Sequence, residues 1–486
     1  MFDLRTAFDW LPQAVMIGRG DEWFGGVSTD TRSVRPGDLF VALRGDRFDG
    51  HRFVDDAMAA GAAGVLVEEH PLRAGVPALV VPCTRRALGV LAQSWRRRFR
   101  LPVVAVTGSN GKTTVKEMIA AILAAHVGPE ATLSTQGNLN NEIGVPQTIF
   151  RLRPTHRMAV LELGMNHPDE IPALAVMVQP TVALVLNAQR EHQEFMDGPE
   201  ATARENGTVF IELPADGVAV YPGDDPCTPI WRDSRHDQPV MEFGLVEDLA
   251  CSPHAASALK DARPERFTAR IGAEQLDIRL NIAGRHNVRN ALAAATCASA
   301  LGIPPATIVA GLAAFRPVAG RLCRHRLPSR FAARDCPVAE ASDHVVLIDD
   351  TYNANPDSMR AAIDVLADEA GPRLIVMGDM GETGVQAEAF HREVGQYARE
   401  RGMEAIWTVG RDMKTAAESA GANARHWASV EDLLADHPVL PDGVASVLIK
   451  GSRFMRMERI VKAWSSGAGT DLEPVAVKPA SAAGDL

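Results

Sequence analysis

Cysteine is scarce in this sequence: six residues in 486. Cys83, Cys227, Cys251, Cys297, Cys323 and Cys336 form no CxxC pair and keep no His-rich spacing. That argues against a disulfide framework or a structural zinc site and fits unpaired thiols in a reducing cytoplasm. Positive charge is in deficit, with 50 Lys and Arg against 61 Asp and Glu, a net charge of −11. Nucleic acid is therefore not expected as the main partner, because phosphate backbones are bound by clustered cations. The dense basic run Arg96, Arg97, Arg98 and Arg100 falls at the end of a predicted helix and is expected to be its solvated terminus. No apolar run approaches the ~20 residues that span a bilayer. The opening MFDLRTAFDW carries acids where a signal peptide has a basic and then an apolar region. A soluble cytoplasmic protein without a membrane segment is expected, with a monomer as the default state.

What is present begins with PVVAVTGSNGKTT, residues 102–114. The β-branched run to Val106 predicts a buried parallel strand. Gly108, Ser109, Asn110 and Gly111 predict a turn. Lys112, Thr113 and Thr114 open a helix whose apolar positions Val115, Met118, Ile119, Ile122 and Leu123 fall at helical spacing. Loop N–H groups, a helix N-terminus and the Lys112 charge together suit a phosphate group. Thr113 has the hydroxyl that ligates Mg²⁺ beside such phosphates. The full P-loop pattern wants glycine where Val106 stands, so the match is partial. A nucleotide site alone names no reaction.

The length predicts two to four domains. Residues 1–99 read as a small α/β module. Its strands are expected at Val27–Arg32, Pro36–Leu43 and Val65–Val67, with a helix over Val54–Ala60 closed by Gly61 and Gly64. Its polar cluster, Ser28, Thr29, Asp30, Arg32, Asp49, Gly50 and His51, suits either a ligand or ordinary turn chemistry. Residues 100–313 alternate strand and helix as in a doubly wound α/β domain. There the loop QGNLNNEIGVP offers the amides of Asn138, Asn140 and Asn141. Glu162 ends the predicted strand Met158–Leu163, where a carboxylate needs an ion pair or a cation such as Mg²⁺. His192 follows the predicted strand Val182–Asn187. A helix is expected over Ala201–Phe210, then a loop-rich stretch to about Asp277. In GRHNVRNALAA, Asn287 is the expected N-cap, with His286 and Asn290 one turn apart and Gly302 closing the helix. Residues 314–464 read as a second Rossmann-like domain. Polar groups there follow strand ends at Asp349-Asp350, at GDMGE and at GSRFMRMER. Residues 465–486 are expected to be a disordered tail.

These segments resemble the Mur ligases. The likeness runs over about residues 25–460 and rests on DTR with PGDLFVALRGDRFDGHRF, TGSNGKTTVK, GNLNNEIGVP, LELGMNHPDEI, GRHNVRNALAA, GR at 320–321, DDTYNANPDSM and KGSRFMRME, in that order. The resemblance implies three domains. The first holds a UDP-sugar substrate, the second binds MgATP, and a third closes over it. It implies an ATP-dependent peptide ligase that works through an acyl phosphate. DDTYNANPDSM is similar to the motif of the dipeptide-adding member, which implies UDP-N-acetylmuramoyl-tripeptide and D-alanyl-D-alanine as substrates. The catalytic set implied is Lys112, Glu162, His192 and Arg321, with Mg²⁺ on Thr113, Glu162 and His192. His286 and Asn290 match the adenine side, and Arg321 with Asp349 or Asp350 reaches the nucleotide from the third domain. Asn353, Asn355, Ser358, Lys450, Ser452 and Arg453 match the acceptor side.

One departure stands out. Many Mur ligases carry a carbamylated lysine where this chain has Asn206, and asparagine cannot be carbamylated. The second metal is then expected on His192, waters and substrate oxygens, with Glu205 as a neighbouring acid. The rival within the family adds the third amino acid, lysine or diaminopimelate, and usually carries a DNPR segment that is absent here. Folylpolyglutamate synthase shares the central fold but is not expected to have the DGH-bearing N-terminal module. A P-loop switch would hydrolyse nucleotide without a peptide substrate.

Overall fold

The run Val103–Thr107 buries all five of its residues. A strand covered on both faces reads as a continuous apolar run, and this one lies between two parallel neighbours, Met158–Glu162 and Val182–Val185. The chain is seen here as a computed structural model that describes residues 1–45, 48–68, 75–191, 193–246, 255–258, 266–327 and 344–465. His192, Cys251, Cys336 and residues 466–486 of the expected tail lie outside them, while Ser465 ends the helix Glu458–Ser465.

Three large sheets organise the described residues. The central one has nine strands in the order Thr132–Ser134, Met158–Glu162, Val103–Thr107, Val182–Val185, Val218–Pro222, Val240–Val246, Ala255–Ala258, Phe267–Ile271, Glu274–Ile278. All neighbours are parallel except the last two pairs. The stretch expected to be loop-rich up to Asp277 therefore supplies strands and the helix Thr228–Ser234. Its antiparallel edge buries Phe267, Ala269 and Ile271 and leaves Thr268 and Arg270 partly open, a half-solvated pattern that reads weakly in sequence.

Helix Lys112–Val127 lays Val115, Met118, Ile119, Ile122 and Leu123 into the core as its spacing predicts. It also buries Lys116, whose Nζ pairs with Glu117 and donates to Thr135 O at 2.8 Å. The helix expected over Ala201–Phe210 is Gly198–Gly207, followed by one 3-10 turn. Helix Arg285–Ala300 starts earlier than expected. Its cap is Gly284 at φ +95°, a conformation that glycine adopts without strain. Asn287 is not the cap; it sits inside the first turn and its Nδ2 donates to Ala283 O at 2.6 Å.

The N-terminal sheet runs Val15–Ile17, Ala78–Val80, Gly64–Val67, Asp38–Val41, Gly26–Ser28. The strand expected over Val27–Arg32 is Gly26–Ser28, cut short because the Asp30 carboxylate accepts from Arg32 N and starts the 3-10 turn Thr31–Ser33. Gly64 opens a strand rather than closing a helix; a Cβ there would meet the Phe24 ring at 3.0 Å. The third sheet runs Cys323–Leu327, Val345–Asp350, Ser446–Lys450, Arg373–Gly378, Ala405–Val409, Ala424–Trp427, parallel except at its first edge.

The basic run corrects a further expectation. Arg97, Arg98 and Arg100 are exposed, but Arg96 is only 6% exposed. Its guanidinium donates to the carbonyls of Val178, Phe99, Leu101 and Gln179. Burial pushes its pKa down to about 10. It joins helix Thr84–Arg96 to the end of helix Glu170–Val178 instead of facing water.

Candidate active site

The carboxyl ends of parallel strands in open α/β sheets form ligand crevices. Here the strand-end loops of the central and third sheets converge on one cleft of about 1300 Å³. Its floor is the loop after Val103–Thr107. Gly108 and Gly111 adopt φ +128° and +90°. Side chains at these positions would run into Leu186 and into the Asn290 amide. The N–H groups of Lys112, Thr113 and Thr114 fall in the first helical turn and lack intrahelical partners. Lys112 Nζ curls over the loop, donating to Gly108 O at 2.6 Å and Ser109 O at 3.0 Å, and lies 3.5 Å from Glu191.

Thr113 Oγ1 is 2.9 Å from Glu162 Oε2, and Asn140 Nδ2 donates to Glu162 Oε1 at 2.9 Å. Glu162 is 2% exposed, and these partners are neutral. Arg321 reaches across from the third sheet and donates to Thr113 Oγ1 at 3.0 Å. Its guanidinium lies 4.2 Å from the Tyr352 ring centroid, while its buried Nε has no partner among the described residues. His286 and Asn290 face the same floor. Burial holds the His286 imidazole below its ordinary pKa, which keeps it neutral near pH 7.

The residues expected on the acceptor side come from the third sheet and its loops and line the same cleft. Asp350 takes Lys450 Nζ at 2.7 Å, and Lys450 also donates to Asn353 O. Ser452 Oγ donates to Ala354 O and accepts from Gly381 N. Asn355 and Ser358 form a capping box at the start of helix Pro356–Ala367. Asn355 Nδ2 also donates to Asn110 Oδ1 at 2.9 Å, so this cap touches the loop after Val103–Thr107. Arg453 lines the cleft and pairs with Glu458.

Other candidates fall elsewhere. Asp349 does not line the cleft; its carboxylate accepts from Thr351 and lies near His325. Ser28, Thr29, Asp30, Arg32, Asp49, Gly50 and His51 lie outside it too. Asp49 accepts from His51, and His51 Nε2 accepts from Glu68 N. Thr29 Oγ1 accepts from Gln147 of the central unit at 2.7 Å. Asn206 is fully buried and accepts from Thr107 Oγ1, while Glu205 accepts from Ile171 N; neither lines the cleft. Sequence reading missed Arg85, Gln189, Arg190 and Tyr352, which do line it. Arg85, paired with Glu142, brings the N-terminal unit to the cleft. DDTYNAN carried a signal for Tyr352, but an isolated arginine such as Arg190 carries none.

A glycine-containing loop at a helix N-terminus with Lys112 over it, a buried hydroxyl–carboxylate pair and cations from a facing sheet suit phosphoryl transfer, which needs positioning and charge neutralisation. Comparison with known proteins fits this geometry. Residues 24–96 match the Mur ligase family catalytic domain, 106–298 the Mur ligase middle domain, and 336–453 the Mur ligase glutamate ligase domain. The UDP-N-acetylmuramoyl-tripeptide–D-alanyl-D-alanine ligase of Escherichia coli is 39% identical over 440 residues, 90% of this chain and 93% of that protein. The enzyme of the same name from Bacillus subtilis is 32% identical over 452 residues, 90% of this chain and 92% of its own. A crystal structure of MurF from Acinetobacter baumannii superposes with a TM-score of 0.83 at 33% identity, covering 96% of this chain and 99% of that one.

Proposed function

The chain belongs to the Mur ligase family, and on that premise we propose that it joins D-alanyl-D-alanine to UDP-N-acetylmuramoyl-tripeptide, driven by ATP. The carrying observation is likeness along nearly the whole length of relatives that bear that ligase name. The substrate carboxylate takes the γ-phosphoryl group and ADP leaves. The dipeptide amine then attacks the acyl-phosphate carbonyl, phosphate departs, and the UDP-linked pentapeptide of peptidoglycan synthesis results. The enzyme works as a cytoplasmic monomer in this reading. Among the described residues no helix is long and apolar enough to cross a membrane, and Cys83, Cys227, Cys297 and Cys323 are free thiols.

Lys112 and the first-turn N–H groups hold the phosphates and offset their charge. Arg321 adds a cation from the facing sheet, and its Nε, without a partner among the described residues, can serve an acceptor. His286 and Asn290 take the adenine side, with Asp350 reaching the nucleotide from the third unit. Thr113 and Glu162 fit Mg²⁺: both are hard oxygen donors, 2.9 Å apart, and a buried carboxylate with neutral partners is costly without a cation. His192 would join them. When bound, the ion neutralises phosphate oxygens during transfer. Among the described residues no three His, Cys, Asp or Glu side chains gather as a metal centre, so the remaining ligands fall to nucleotide and water. Asn138, Asn140 and Asn141 border the peptide path, and Asn353, Asn355, Ser358, Lys450, Ser452 and Arg453 the dipeptide. The N-terminal cluster from Ser28 to Arg32 and Asp49 to His51 holds the UDP end.

The test is phosphate release from MgATP with the UDP-tripeptide, with and without D-alanyl-D-alanine, plus mass spectrometry of the product. Release that needs both substrates and yields the UDP-pentapeptide is expected. A free amino acid joined to the UDP-dipeptide instead would assign the rival family member.

A further inference from the structure

Resting on that reading, we propose that Arg190 is a positioning residue for ligation: it clamps the third unit onto the phosphate loop so that acceptor and acyl phosphate meet in register. Arg190 follows the central strand Val182–Val185 and is about one-quarter exposed. Its backbone N–H donates to Asp357 Oδ2 at 2.9 Å. Its guanidinium forks onto Asp357 Oδ1 at 2.6 Å and onto Glu393 Oε2 at 2.7 Å. The Phe390 ring lies 5.3 Å away beneath it. Planar two-carboxylate recognition is specific to arginine; lysine supplies only a point charge.

The neighbours show what the clamp connects. Gln189 N donates to Ser109 Oγ at 2.9 Å, and Gln189 Oε1 accepts from Asn110 Nδ2 at 2.6 Å. One residue therefore grips the phosphate loop and the next grips the third unit. Asp357 lies in the first turn of helix Pro356–Ala367, two residues after Asn355, which itself bonds Asn110. The segment Asn353–Ser358 is thus tied to the nucleotide floor at both Asn110 and Arg190. Without Arg190, Asp357 would lose the cation that ties it to the loop after Val182–Val185, while Glu393 would keep, among the described residues, only Arg360 at 3.1 Å.

The experiment compares unaltered enzyme, Arg190→Ala, Arg190→Lys and the double variant Asp357→Asn with Glu393→Gln. For each, kcat and the KM of all three substrates are measured, with nucleotide affinity by calorimetry and small-angle scattering with a non-hydrolysable ATP analogue and the UDP-tripeptide. Arg190→Ala is expected to lower kcat about 100-fold, the loss caused by a misplacement of roughly 1 Å. Nucleotide affinity should hold while the scattering curve broadens, and lysine should recover only part of the rate. A purely structural role would lower the melting temperature and leave both the rate and the scattering alone. Wild-type kcat and scattering in Arg190→Ala overturn the proposal. If that variant fails to fold, the double variant decides by the same two readouts. Failure of the unaltered enzyme to ligate would overturn the function and leave the clamp to the scattering comparison.

Discussion

The hydroxyl of Thr113 and the carboxylate of Glu162 lie 2.9 Å apart, although they sit on different elements and are 49 residues apart in sequence. Asn140 holds the other carboxylate oxygen. Removing an outer partner of a metal ligand typically weakens metal binding 10- to 100-fold. Asn140→Ala should therefore raise the Mg²⁺ concentration for half-maximal phosphate release by roughly that factor. Glu162→Gln should abolish turnover. A Mg²⁺ titration of each variant checks both.

Lys112→Ala should remove ligation and leave the fold intact. Losing one preorganised charge donor costs on the order of 100- to 1000-fold in rate. Circular dichroism with the phosphate-release assay separates the two effects. Normal turnover in the variant would remove the phosphate-loop reading.

Arg96→Met should destabilise the protein without touching the chemistry. It strips a donor from the carbonyls of Val178, Phe99, Leu101 and Gln179. A buried acceptor left unsatisfied costs about 1–3 kcal/mol, so a loss near 3 kcal/mol is expected from urea unfolding. The kcat of the folded variant should match the parent.

Acid should weaken the fold through its desolvated histidines. Burial holds His156, His286, His325 and His426 below the ordinary value of 6.5. As pH falls through 6.5 the unfolded chain takes up protons that the folded chain refuses, so stability drops, until the folded pKa values are reached. Half-buried Asp225 and buried Asp379, held above the ordinary carboxylate value by desolvation, act in the opposite sense as they take up protons. Urea midpoints at about pH 7.5 and about pH 5.5 should show the lower value in acid. Equal midpoints would contradict the histidine account.

Much of the architecture was legible because its signals are local. Val103–Thr107 is apolar on both faces, and the glycines of the next loop mark the turn. The strand Glu274–Ile278 was invisible because it buries little except Ile278. Asn287 read as a cap because its type fits, yet Gly284 can take the left-handed backbone that asparagine only tolerates. Arg190 gave no signal because its partners are 167 and 203 residues away. Asp30 and His51 read equally well as ligands or turn formers, and both do form turn bonds.

The amide pair Asn110 and Asn355 has a bearing on how such enzymes can diversify. A new acceptor specificity gained by exchanging the third unit between relatives would bring in a foreign partner for Asn110 and Arg190. Grafts that carry Asn355, Asp357 and Glu393 together should dock on this nucleotide floor. Those that break the set would inherit a complete substrate pocket held in the wrong place.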